Sequence, residues 1–291
     1  MLVKRILPSG YCKGVINAIE LVKKTREKYP NENIFILGMI VHNSFVSEQL
    51  KDLGIITLDD DTKSKEELLD TIDSGVVVFT AHGISEQIKN KAIEKGLIVV
   101  DASCEDVLKT QRIVKEYLNN GYDVLYFGKR NHPEAMAVLA ISDDIHFIAG
   151  KEDIEKLKIN NSKIVITNQT TMSYLELREL FDIVKNKYPN VLIIEEICKA
   201  TSSRQQAIAK VNDGDILYVV GDIKSNNTNK LKEIGLLNFK KVYLINNASE
   251  IKKTDLNDQS KVYVSAGAST PPILIDEVMK KLNELAAEFT K

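Results

Sequence analysis

Short apolar runs, many of them β-branched, recur along the chain and alternate with stretches whose apolar residues return every three or four positions. Runs such as VVVF, LIVV, VLII and ILYVV are apolar at consecutive positions. That is the pattern of strands buried on both faces, as in a parallel sheet covered by helices. Strands are predicted at 2–7, 33–38, 75–80, 97–102, 123–128, 163–168, 191–196, 215–220, 241–246 and 261–265, with weaker ones near 55–58 and 145–148. Helical periodicity falls between them, for example at 13–28, 64–73, 86–95, 105–119, 173–187 and 202–211. The order β-α-β-α predicts an α/β fold.

Certain polar residues fall just after the predicted strands, and they do so with a period. Cys12, Cys104 and Cys198 lie 92 and 94 residues apart. His42, His132 and Ser225 follow them by 30, 28 and 27 residues, and His82, Thr170 and Ser269 by 70, 66 and 71. Any one of these is an ordinary turn residue; nine in register are the mark of an internal repeat. The expectation is three similar units of three or four parallel strands, at 1–103, 104–196 and 197–291. Ligands of open α/β sheets bind beyond the carboxyl ends of the strands. Three such units arranged pseudo-threefold would pool nine strand-end positions around one central cavity.

Composition narrows the class of function. The chain has 291 residues, 44% hydrophobic and 27% charged, with a net charge of −2. That is an ordinary globular balance. Without a basic block there is no nucleic-acid signature. Apolar runs of about six residues fall far short of the roughly 20 that cross a bilayer. The opening shows no charged-then-apolar leader, so a cytoplasmic setting is expected. Three cysteines in a reducing compartment argue for a role other than disulfides.

Three thiols from three units suit an iron–sulfur cluster with one iron left without a thiolate, although the C-x-x-C spacing of ferredoxins is absent. His42, His82 and His132 suit a shared anion, because imidazolium donates two hydrogen bonds and carries charge. Ser225, Asn227 and Ser269 add neutral donors, while Gly221 and Gly267 allow close backbone approach. With the helix N-termini that follow, these suit a phosphate or diphosphate. His146, inside DDIHFIAG, reads as structural. Glu134 in HPEA is the best candidate for proton transfer. Its plainer role would be that of a first-turn acid behind Pro133, a good first helical residue. Thr170 would position Glu134, a substrate hydroxyl or a water.

GYCKGV, IVHN, AHGIS, DASC, HPE, NQTT, CKATSSRQ, SNNTN and SAGAS occur in this order across nearly the whole chain. Together they resemble the 4-hydroxy-3-methylbut-2-enyl diphosphate reductase family of the methylerythritol phosphate route to isoprenoids. The resemblance implies three α/β units around a [4Fe–4S] cluster held by Cys12, Cys104 and Cys198. It implies diphosphate contacts from His42, His82, His132, Ser225, Asn226, Asn227 and Ser269, and a proton relay through Glu134 beside Thr170. The implied reaction removes an allylic hydroxyl and gives isopentenyl and dimethylallyl diphosphates. Two electrons are consumed, so a ferredoxin or flavodoxin donor is implied.

Several residues depart from the family pattern. Glu105 stands for a common Pro, Lys199 for an aromatic, Lys129, Arg130 and Asn131 for small residues, Ala137 for Gly and Asn226 for a second Ser. They leave open a divergent paralogue, an iron–sulfur reductase or dehydratase of another small phosphorylated or hydroxylated compound. A sensor holding a cluster without catalysis is a further alternative. Zinc is disfavoured because the cysteines are too far apart for a local knuckle.

Overall fold

Twelve short strands and eleven α-helices alternate along the computed structural model, which describes residues 1–289. The strands are β1 (Leu2–Arg5), β2 (Ile34–Leu37), β3 (Ile55–Leu58), β4 (Val76–Phe79), β5 (Ile98–Asp101) and β6 (Asp123–Phe127). They continue with β7 (Ile145–Ile148), β8 (Ile164–Asn168), β9 (Leu192–Ile193), β10 (Ile216–Val220), β11 (Lys241–Ile245) and β12 (Lys261–Ala266). The helices are α1 (Lys13–Lys28), α2 (Ser44–Asp52), α3 (Lys65–Asp70), α4 (Glu86–Glu94), α5 (Glu105–Asn119) and α6 (Pro133–Leu139). After them come α7 (Lys151–Lys156), α8 (Tyr174–Lys187), α9 (Lys199–Ala209), α10 (Asn226–Asn238) and α11 (Pro272–Glu288). Each predicted strand is present, including the two weak ones.

Three parallel four-stranded sheets result, ordered β3-β2-β4-β5, β7-β6-β8-β9 and β11-β10-β12-β1. All three share one plan. The first strand of each sheet lies inside, the second at one edge, the third beside the first and the fourth at the far edge. The inner strands carry the apolar runs: β4, β8 and β10 are buried along their whole lengths. Because α/β crossovers cover both faces, such strands need apolar side chains on each.

The last sheet departs from the predicted boundaries. Residues 2–5, expected within a unit at 1–103, pair instead with β12, Val3 opposite Val262 and Arg5 opposite Val264. The N-terminal strand therefore supplies the fourth strand that β10, β11 and β12 lack. An apolar pattern identifies a strand but carries no address for its partner. The repeat is shifted accordingly: Cys104, Cys198 and Cys12 each follow the fourth strand of a sheet rather than opening a unit.

Two compact units contain these sheets. One comprises residues 1–13, 42–46 and 199–291; the other comprises 14–41 and 47–198. In the first, Tyr218, Val220, Val262, Val264 and Ala266 pack against Ile275, Val278 and Leu282 of α11, and Phe45 joins this core. In the second, Leu125, Phe127 and Ile166 pack against Leu177, Leu180 and Val184 of α8, while Leu37, Val77 and Phe79 pack against Leu68 and Leu69 of α3. Among the described residues no helix is long and apolar enough to cross a membrane.

Candidate functional site

In a doubly wound sheet the crevice opens at the carboxyl ends of the two inner strands, where the strand order reverses. Here those are the first and third strands of each sheet. His42, His132 and Ser225 follow the first strands β2, β6 and β10. His82, Thr170 and Ser269 follow the third strands β4, β8 and β12. The register seen in the sequence is thus the register of the switch points, and the cysteines occupy the loop after the neighbouring fourth strand.

Each cysteine is tied to a third-strand loop in the same way. The backbone N–H of Cys104 donates to the carbonyl of Ala81 at 3.0 Å, that of Cys198 to Thr170 at 3.1 Å, and that of Cys12 to Ala268 at 3.1 Å. Ala81 and Ala268 immediately precede His82 and Ser269. All three cysteines are half-buried, none is in a disulfide, and each directly precedes a helix. Among the described residues no three His, Cys, Asp or Glu side chains converge on a single metal ion. A cluster makes no such demand, because each of its irons takes one thiolate. Three half-buried thiols presented by one repeated loop geometry are a donor set that fits it.

In the unit of residues 14–41 and 47–198, the strand ends carry His82, His132, Glu134 and Thr170. His132 caps α6: its Nδ1 accepts from the N–H of Glu134 at 3.2 Å. An Nδ1 that accepts leaves Nε2 as the donor of a neutral ring. The His132 ring stands edge-on to His82, with centroids 5.6 Å apart. The His82 Nδ1 lies 3.4 Å from the Thr80 hydroxyl.

Glu134 is 1% exposed. Its Oε1 accepts from the N–H of Thr170 at 2.7 Å and its Oε2 from the Thr170 hydroxyl at 3.0 Å. Burial pushes its pKa up to about 7; the two Thr170 bonds act against that rise, and the Asp106 charge adds to it. The plain first-turn role is therefore only part of the account. A first-turn acid serves its helix from solvent, whereas this one turns inward onto Thr170 of the adjacent loop. A carboxyl that titrates near neutrality can hold a proton and release it.

The unit of residues 1–13, 42–46 and 199–291 contains Cys12, His42, Ser225, Asn226, Asn227 and Ser269. Ser225 caps α10, accepting from the N–H of Thr228 at 3.3 Å. Asn226 and Asn227 follow in the first turn, both buried. Neither amide atom of Asn227 has a hydrogen-bond partner among the described residues. A buried amide left this way costs about 1–3 kcal/mol. The Ser269 hydroxyl donates to the carbonyl of His42 at 3.0 Å, and the N–H of Ser44 donates to Asp222 at 3.1 Å. These two bonds hold segment 42–46 in this unit. A Cβ on Gly267 would fall 2.1 Å from the Thr228 hydroxyl, and one on Gly221 would fall 2.9 Å from it. The close approach at Gly267 is a contact with α10, whereas a Cβ on Gly221 would lie nearer still to the Thr270 hydroxyl, at 2.7 Å.

His146 lies in β7, half-buried, as a strand residue. Four positioning residues were not singled out from the sequence, although three sit inside the quoted motifs. Gln169 accepts from the N–H of Lys129 at 3.0 Å, and Asn168 accepts from the N–H of Glu196 at 3.0 Å. Arg204 reaches the carbonyl of Gly10 at 2.5 Å. Asp222 lies just before the SNNTN stretch. For the three inside motifs the signal was a polar residue, which does not distinguish a ligand contact from a brace.

The departures from the family pattern are conformationally mild. Asn131 has φ +59°, the left-handed region that Asn tolerates better than other residues with a side chain. Glu105, Lys129, Arg130 and Lys199 are exposed, and Glu105 pairs with Arg112. Ala137 is buried within α6.

Comparison with known proteins gives one consistent result. The family model described as LytB protein matches residues 3–283. The chain is 42% identical over 288 residues to the 4-hydroxy-3-methylbut-2-enyl diphosphate reductase of Geobacillus kaustophilus (strain HTA426), covering 98% of this chain and 90% of the relative. It is 43% identical over 288 residues to the enzyme of that name from Bacillus cereus (strain B4264), again covering 98% and 90%. Among solved structures, the E-1-hydroxy-2-methyl-but-2-enyl-4-diphosphate reductase of Plasmodium falciparum superposes with a TM-score of 0.88 at 30% identity, covering 97% of this chain and 87% of that one. Motif order, switch-point register and these full-length matches agree: the chain belongs to the LytB protein family.

Proposed function

We propose that this protein reduces 4-hydroxy-3-methylbut-2-enyl diphosphate to isopentenyl and dimethylallyl diphosphates. The observation that carries the proposal is the buried Glu134–Thr170 pair, a carboxyl poised near neutrality at a strand end of the switch-point register. Full-length relatives bearing the reductase name support it.

The reaction breaks the allylic C–O bond, consumes two electrons and two protons, and releases water. Cys12, Cys104 and Cys198 would hold a [4Fe–4S] cluster, supported by their chemistry and thrice-repeated loop geometry. When bound, the cluster supplies electrons and a Lewis-acidic iron. Glu134 holds the proton that leaves with the hydroxyl, and Thr170 keeps that carboxyl oriented through both its N–H and its hydroxyl. His42, His82, His132, Ser225, Asn226, Asn227 and Ser269 bind the diphosphate. The α10 N-terminus favours anionic oxygens, and Asn227 offers an amide that no described residue engages. Electrons come singly from a ferredoxin or flavodoxin, in a cytoplasmic setting whose reducing poise keeps thiols available as ligands.

The test is anaerobic purification, iron and sulfide analysis, then turnover with a reduced artificial donor over a panel of allylic diphosphates and other phosphorylated alcohols. The expected result is about four irons and four sulfides per chain and turnover of the named substrate. Protein with all three cysteines reduced but neither iron nor sulfide would overturn the cluster assignment. A cluster-loaded protein that turned over a different alcohol would overturn the substrate.

A further inference from the structure

Each cysteine loop has its own polar brace, and the three braces are chemically different. Before Cys104, Asp101 accepts from the N–H of Ser103 at 3.1 Å and from its hydroxyl at 2.5 Å, and it pairs with Lys89 at 3.0 Å. Before Cys198, Asn168 accepts from the N–H of Glu196, whose carboxylate meets Lys109 at 2.8 Å. Before Cys12 the brace is Arg204, on the buried face of α9 and 4% exposed. Its Nη2 donates to the carbonyls of Gly10 at 2.5 Å and Tyr11 at 3.5 Å, and its Nη1 to that of Ala200 at 2.6 Å.

Burying a guanidinium is costly, and only a dense set of bonds makes it tolerable. One arm of the fork, Nη2, reaches two consecutive carbonyls of the turn that leads into Cys12, while Nη1 ties the guanidinium to its own helix at Ala200. That turn has little freedom elsewhere. Gly10 sits at φ +80°, and a Cβ there would fall 2.7 Å from Ile275 Cδ1. The N–H of Cys12 is fixed on Ala268. Lysine cannot reproduce the arrangement, because its single ammonium lacks the planar fork.

We infer that Arg204 is a positioning residue for Cys12, fixing the approach of its thiolate and so the retention and electronic properties of the bound cluster. The inference rests on the proposed role of Cys12 as a cluster ligand. The set to compare anaerobically is wild type, Arg204→Lys, Arg204→Gln and, as a control for lost core packing, Val278→Ala in the same unit. Four quantities are read: iron loss to a chelator, the cluster's midpoint potential, its paramagnetic spectrum, and hydrogen exchange of residues 9–13 in cluster-free protein.

Losing charge-assisted bonds is expected to speed both iron loss and local exchange about tenfold or more. The potential and spectrum should change in both Arg204 variants and remain as in wild type in Val278→Ala. If Arg204→Gln does not fold, Arg204→Lys carries the comparison. Arg204 variants that match Val278→Ala in iron loss, spectrum and exchange would overturn the inference. A wild-type protein without iron would instead overturn the cluster reading, and the exchange data would still decide whether Arg204 holds the turn.

Discussion

Replacing Glu134 by Gln separates the proton from the shape. Glutamine can keep both contacts: its Oε1 accepts from the N–H of Thr170 as the carboxylate now does at 2.7 Å, and its amide group donates to the Thr170 hydroxyl, now 3.0 Å away. What it lacks is an ionisation. The folded carboxyl titrates at about 7 rather than the ordinary 4.5. Between those values the folded state holds a proton that the unfolded chain has released. The stabilisation is complete below pH 4.5, falls as pH rises, and is gone above about 7. At 1.36 kcal/mol per unit the difference amounts to about 3 kcal/mol. Chemical denaturation of wild type and Glu134→Gln at matched conditions from pH 4.5 to 8 gives the difference curve directly. The variant should gain about 3 kcal/mol relative to wild type across that range. In the same protein turnover should fall about 10²–10⁴-fold, with iron content and diphosphate affinity retained. Parallel stability curves would refute the buried, near-neutral carboxyl, and near-wild-type turnover would refute its role as proton donor.

Thr170→Val removes the hydroxyl bond that holds the Glu134 pKa down while leaving the N–H in place. The carboxyl band seen by infrared titration should then move to higher pH, and a downward move contradicts the assignment. Asn227→Ala deletes an amide whose two polar atoms have no partner among the described residues. Thermal stability should stay within about 1 kcal/mol of wild type while KM for the diphosphate rises about 10–100-fold; an unchanged KM removes Asn227 from the binding set. Asn131→Val forces a β-branched residue into φ +59° and should cost about 1–2 kcal/mol in thermal unfolding. Asn131→Gly should be tolerated, and equal stability of the two variants would show that the loop does not depend on that conformation.

Much of the fold was legible in the sequence because a strand buried on both faces must be apolar at consecutive positions. VVVF and ILYVV could be little else. Helices were harder where function intrudes. α10 opens with the buried Asn226, Asn227 and Thr228, so its apolar stripe is weak, and α7 has only six residues. The strand-end placement of the candidate residues was legible through their spacing, since a repeat places equivalent residues after equivalent strands.

By itself, then, the sequence determined the strands, the α/β class and the strand-end register of the candidate residues. The tertiary structure alone decided that β1 completes the sheet of β10, β11 and β12, which moves Cys12 from the head of the first unit to the close of the last. It alone decided that Glu134 is buried against Thr170, 36 residues away in the chain. Both outcomes have the same physical origin. Local pattern records which face of a residue avoids water, whereas strand partners and the pKa of a carboxyl depend on what distant segments bring against that face.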